Sequence, residues 1–85
     1  MKISLRYFAS VREQLGAGQD TLDLPEAATT VGAVRAALVA RGGVWAEALG
    51  PERALRTACR QVMCGPDTEV ADGDEVAFFP PVTGG

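Results

Sequence analysis

Residues 2 to 8 alternate, with Ile3, Leu5 and Tyr7 on one side and Lys2, Ser4, Arg6 and Phe8 on the other. Strict alternation marks a strand that buries one face. Ala9 to Leu15 predicts a short helical turn ended by Gly16, and Gly18 lets the chain reverse before Thr21-Leu22-Asp23-Leu24 alternates again. A hairpin-like pair of strands is expected there. Pro25 and the Ala-rich segment behind it break the second strand, and Thr30 is placed to N-cap a helix running to Arg41. Val31, Val34, Ala37 and Leu38 fall on one face of that helix, and Gly42-Gly43 stops it. Trp45, Ala48 and Leu49 predict one or two further helical turns closed by Gly50-Pro51, with Trp45 in the core.

From Leu55 to Cys64 neither alternating set is purely apolar, and Arg60-Gln61 sits where the corner of a tight hairpin would fall. Gly65-Pro66-Asp67 and Asp72-Gly73-Asp74 are turn signals. Glu75 to Phe79 then reads as a closing strand, with Val76 and Phe78 opposed to Ala77 and Phe79. The order strand, strand, helix, strands predicts an α+β roll: a mixed sheet with one main helix packed on one face. Asp72, Asp74 and Glu75 invite a metal, but acidic residues around a glycine fit a solvated turn better, and no metal site is expected.

Composition narrows the function. The 85 residues make a single domain, with a body over 1–79 and an extended tail over 80–85. A net charge of −3 speaks against a nucleic-acid partner, which would be gripped by clustered Lys and Arg. No apolar run is long enough for a membrane span, and charges interrupt the N-terminal apolar residues where a signal peptide would have none, so a cytoplasmic protein is expected. Cys59 and Cys64 fit neither a CxxC motif nor a zinc half-site, the chain has no His, and both are expected as free thiols. Without His the usual general base is missing, so the chemistry is expected to come from a partner.

The tail carries the sharpest signal. Gly84-Gly85 has no side chain to obstruct a narrow channel, and Pro80-Pro81 stiffens the approach to it. The run from Asp72 to Gly85, with Phe78-Phe79-Pro80-Pro81-Val82-Thr83-Gly84-Gly85 at its end, closely resembles the C-terminus of the small, sulfur-carrier subunit of molybdopterin synthase, the MoaD family. Phe8 to Glu13, Val31 to Gly42, Trp45 and Leu49 resemble landmarks of the same family, whereas Arg60-Gln61 departs from its usual Asn-containing corner.

This resemblance implies a β-grasp, ubiquitin-like fold and a sulfur relay. An E1-like enzyme would spend ATP to adenylate the Gly85 carboxylate, and a sulfur donor protein would convert it to a thiocarboxylate. The large synthase subunit, in a heterotetramer of two small and two large chains, would use that sulfur to build the dithiolene of molybdopterin from cyclic pyranopterin monophosphate. No cofactor would be held stably by the chain itself. Gly84 would thread the partner's channel, and Pro80, Pro81, Val82 and Thr83 would contact the partner. Phe8 and Phe79 lie out of register with the core and are expected on a partner-binding patch, which Met63 joins if the hairpin follows the family. The alternatives are a thiamine-pathway type of sulfur carrier, a ubiquitin-like protein modifier joined to lysines through Gly85, and an interaction module with an inert tail.

Overall fold

The first alternating segment becomes β1 (Lys2–Tyr7), whose inward residues Ile3, Leu5 and Tyr7 are buried while Lys2, Ser4 and Arg6 face outward. The computed structural model of the protein describes residues 1–81. After β1 come α1 (Ala9–Leu15), β2 (Gln19–Asp23), β3 (Ala28–Thr30), α2 (Val31–Val39), α3 (Val44–Leu49), β4 (Arg56–Cys59), β5 (Val62–Cys64), β6 (Glu69–Ala71) and β7 (Glu75–Phe79). Five strands form one mixed sheet in the order β2-β1-β7-β4-β5. Only the β1–β7 pair at its centre is parallel, with Leu5 beside Val76 and Tyr7 beside Phe78. A parallel pair needs a long crossover. Everything from α1 to β6 supplies it.

Two elements depart from the sequence reading. The Ala-rich segment after Pro25 holds the three-residue strand β3, which pairs antiparallel with β6 as a second small sheet. Strands this short show almost no alternation, and the pairing is held by Val70, which is fully buried. The main helix also ends earlier than Arg41. Its regular part stops at Val39, and the chain turns through Gly42 at φ 74°.

The N-terminus of α2 follows its sequence signal, since the Ala33 N–H donates to Oγ1 of Thr30 at 3.2 Å. Val31, Val34 and Leu38 on its inner face meet Ile3, Leu5, Tyr7, Val76 and Phe78 from the sheet, with Val11 and Leu49 closing the ends. Trp45 is partly buried against this core. It stands edge-on to Tyr7 at 5.9 Å between ring centroids, with the Arg41 guanidinium 4.6 Å from its own ring centre. Arg35 crosses from α2 to gather loose carbonyls beyond α3: its Nε donates to Leu49 at 2.7 Å and its Nη2 to Gly50 and Arg53 at 2.6 and 2.8 Å.

The acidic turn before β7 is structural. The Lys2 N–H donates to Oδ1 of Asp72 at 2.7 Å. Oδ2 of Asp74 accepts from the Ala71 N–H at 2.8 Å and from Nη1 of Arg60 at 2.6 Å. These bonds fasten the turn to β1 on one side and to the β4–β5 corner on the other.

Candidate functional site: an aromatic sheet face at the root of the tail

Helices cover one face of the large sheet, and the other carries the side chains that alternation sends outward. One row of that face runs across the strands as Gln19, Arg6, Ala77, Ala58 and Met63, each the register partner of the next. Ala58 and Ala77 are small and 7% exposed, so they form a floor rather than a ridge. Phe8 and Phe79 stand at one end of this floor, at the point where β7 gives way to Pro80 and Pro81. Their ring centroids are 6.1 Å apart and their planes cross at 85°. The shallow depression beside them, about 470 Å³, is lined by Arg6, Phe8, Ala58, Gln61, Glu75, Ala77 and Phe79.

Each aromatic is held by its backbone. The Phe8 N–H donates to the Phe78 carbonyl at 3.2 Å, which continues the β1–β7 ladder by one residue and fixes Phe8 beside Phe79. Phe8 then serves as the N-cap residue of α1 without a side-chain cap, and Ala9 turns the chain at φ 51°. Left-handed backbone at a residue with a Cβ costs on the order of 1 kcal/mol. Arg60 and Gln61, at φ 52° and 66°, form the corner of the β4–β5 hairpin, so the tight turn expected there is present. These are the three non-glycine residues with positive φ among the described residues, and all flank the aromatic face.

Phe8 is 44% exposed, Met63 52% and Val62 67%. None of the chain's described segments covers this face. Phe8 and Phe79 meet as the sequence suggested. Met63 shares their face but lies on β5, two strands from β7, with Ala58 in between, so the three side chains surround the alanine floor and do not form one contact. Pro80 is half-buried and Pro81 exposed. Val82, Thr83, Gly84 and Gly85 lie outside the described residues. The sequence did not place Ala58, Ala77 and Gln61 on the partner-binding patch, although the alternation from Glu75 to Phe79 already set Ala77 on the side of Phe79 and Gln61 was expected at the hairpin corner.

Both thiols are free. Burial pushes the Cys59 thiol up, away from the thiolate that sulfur chemistry needs, and Cys64 lies 3.9 Å from the Thr57 hydroxyl on the edge strand. Burial likewise raises the Tyr7 phenol, with Asp20 adding to the effect and Arg41 opposing it. The Tyr7 hydroxyl is enclosed and makes no hydrogen bond of good geometry among the described residues, with the Asp20 carboxylate as its polar neighbour. Neither group is built for acid-base work. No group of three His, Cys, Asp or Glu among the described residues is placed to hold a metal. No helix of the described residues is long and apolar enough to cross a membrane.

A mixed sheet with a parallel central pair and one main helix across it is the β-grasp, ubiquitin-like fold. A model of the ThiS family matches residues 5–85, and the chain belongs to that family. Two curated relatives, each named as a molybdopterin synthase sulfur carrier subunit, are 40% identical (Haemophilus influenzae) and 42% identical (Escherichia coli) over 83 residues. Each match covers 98% of this chain and 99% of the relative. Among solved structures, SAMP1 from Haloferax volcanii superposes with a TM-score of 0.79 at 26% identity over 100% of both chains. A chain from the complex of subunits 1 and 2 of the molybdopterin-converting factor of Helicobacter pylori gives 0.67 at 22% identity, again over 100% of both, a likeness of fold.

Proposed function

We propose that this protein is the sulfur-carrier subunit of molybdopterin synthase, and that its reactive group is the carboxylate of Gly85. Identity above 40% to one such carrier and at 40% to another, over nearly the whole length, supports this reading. The observation that carries it is the pairing of Phe8 with Phe79 where the tail departs, an exposed anchor beside the strand that presents the diglycine.

The chemistry follows from what a carboxylate lacks. It is a poor electrophile, so an E1-like partner joins a carboxylate oxygen to the α-phosphorus of ATP and releases pyrophosphate. A persulfide on a donor protein then attacks the acyl carbon and AMP leaves, and a second thiol of the partner proteins cleaves the resulting acyl disulfide by forming a disulfide with the donor cysteine, which releases the thiocarboxylate. The protein holds ATP at no stage. The large subunit next takes the tail into its own active site, where the thiocarboxylate sulfur bonds to cyclic pyranopterin monophosphate and water cleaves the resulting thioester, returning Gly85 as a carboxylate. Two sulfurs make one dithiolene, so two loaded carriers serve each product. The protein supplies the sulfur, the anchor and the reach, and the partners supply the catalytic groups. A heterotetramer of two small and two large chains in the cytoplasm is the assembly this implies, in keeping with the two-subunit complex of the Helicobacter pylori factor.

Intact-mass spectrometry tests the reading. Incubation with ATP, a molybdopterin-pathway adenylating enzyme and a sulfur source is expected to replace one terminal oxygen by sulfur, with no change in a chain lacking Gly85. An unchanged mass with a demonstrably active partner would overturn it.

The likeness to SAMP1, a small archaeal modifier protein, supports a second activity in which Gly85 becomes joined to lysines of other proteins. Covalent adducts recovered from cells through an affinity tag at the N-terminus, and lost on deletion of Gly85, would establish it.

A further inference from the structure

The distribution of charge around the aromatic face is uneven for an acidic protein. Of the eight basic residues, Arg6, Arg41 and Arg60 form ion pairs with Glu75, Asp20 and Asp74. Arg35 and Arg53 donate to backbone carbonyls. That leaves Lys2, Arg12 and Arg56 with no ion pair or side-chain hydrogen bond among the described residues. Lys2 stands at the far end of β1, in register with Asp23 and bonded through its N–H to Asp72. Both remaining arginines stand at the tail end. Arg56 is the register partner of Phe79, and Arg12 shares with Phe8 the lining of a hollow over the β1–β2 connection, its Nε 3.1 Å from where a Cβ on Gly18 would lie.

Apart from Glu13, which follows Arg12 on α1 and lines a hollow with it, the acids sit away from these two arginines. Asp23, Glu26, Glu69 and Asp72 gather where β1 begins and where β3 pairs with β6. Glu75 is the acid that lines the aromatic hollow, and it already faces Arg6 at 3.9 Å. A protein of net charge −3 therefore presents, on either side of Phe8 and Phe79, two arginines that no described residue pairs.

We propose that Arg12 and Arg56 recognise carboxylates on the partner, so that the surface receiving this carrier is an apolar socket with an acidic rim, and that they steer the tail end rather than the acidic end toward it. The proposal rests on the functional reading above and adds the electrostatic character of the partner. Rim charges of this kind act mainly on the rate of encounter, and salt screens them.

The test uses the full chain and the molybdopterin synthase large subunit of the same organism, with association rates measured by stopped flow at low and high salt. R12E, R56E and K2E change the net charge equally, and Lys2 lies about 20 Å along β1 from Phe8. R12E and R56E are each expected to slow association about tenfold at low salt, to lose the difference at high salt and to melt like the parent chain, while K2E changes the rate less than about twofold. Equal rates for all three variants, or rates that ignore salt in the parent chain, would overturn the proposal and leave the functional reading standing. If the parent chain failed to bind the large subunit at all, both would fall.

Discussion

Phe79 stands edge-on to Phe8 with centroids 6.1 Å apart, although the two residues are separated by nearly the length of the chain. The parallel register that sets Tyr7 beside Phe78 sets the next residue of each strand side by side on the outer face. The anchor and the exit of the tail are therefore consequences of one strand pairing.

Truncation of either ring removes the proposed anchor without opening the core, since Phe8 is 44% exposed and Phe79 lies on the outer face. Phe8→Ala and Phe79→Ala are each expected to weaken large-subunit binding by about 2 kcal/mol, the usual size of a central aromatic anchor, with the fold kept. Titration calorimetry measures this. Parent-like affinity in both variants would remove the face from the interface.

The buried Tyr7 hydroxyl makes no hydrogen bond of good geometry among the described residues, Asp20 acting on it from a poor angle or distance, so Tyr7→Phe is expected to raise stability by about 1 kcal/mol in urea unfolding. Burial raises the phenol in the folded state, which means the folded chain holds this proton more tightly than the unfolded chain. The stability so contributed is complete below about pH 10, the unfolded value, and is lost as pH rises beyond it. Tyr7→Phe should flatten that alkaline loss. A variant less stable than the parent at neutral pH would show that the hydroxyl is satisfied after all.

Gln61 is held at φ 66°, where a two-residue hairpin corner favours glycine. Gln61→Gly is expected to stabilise the domain by about 1 kcal/mol and so raise Tm by about 4–8 °C in scanning calorimetry. Arg60 is the poorer target, because its ion pair with Asp74 ties the corner to the turn before β7. A lowered Tm for Gln61→Gly would mean that the glutamine side chain contributes more than its backbone costs.

Gly84 precedes the carboxylate proposed as the reactive group, and a methyl group there would meet the wall of any channel built for a bare backbone. Gly84→Ala is expected to slow thiocarboxylate formation by at least about tenfold, in proportion to the misplacement of the acyl carbon. Time-resolved intact-mass measurements report the rate directly. An unaltered rate would rule out a close-fitting channel around this residue.

Much of this was legible in the sequence because the central strands announce themselves. Ile3, Leu5 and Tyr7 alternate cleanly, Thr30 caps α2 through its own hydroxyl, and Phe8 and Phe79 are large apolar residues on the wrong side of their strands. The β3–β6 pair was not legible, because three residues such as Ala28-Thr29-Thr30 carry no pattern until a partner strand lies beside them. Nor was the work of Arg35, which gathers carbonyls from Leu49, Gly50 and Arg53. Its partners lie in backbone that the sequence shows only as a Gly-Pro break. The alanine floor escaped notice for a related reason: a small residue becomes informative only once its neighbours across the sheet are known.

The tail is the continuation of β7, and β7 lies between β1 and β4 at the middle of the sheet. A pull along the axis of β7 would load the ladders on both sides in shear together rather than unzip them one rung at a time. An edge strand in that place would peel away under the same pull. The strand that leads to the tail is thus held from both sides, so force applied along it would be shared by two ladders rather than borne by one.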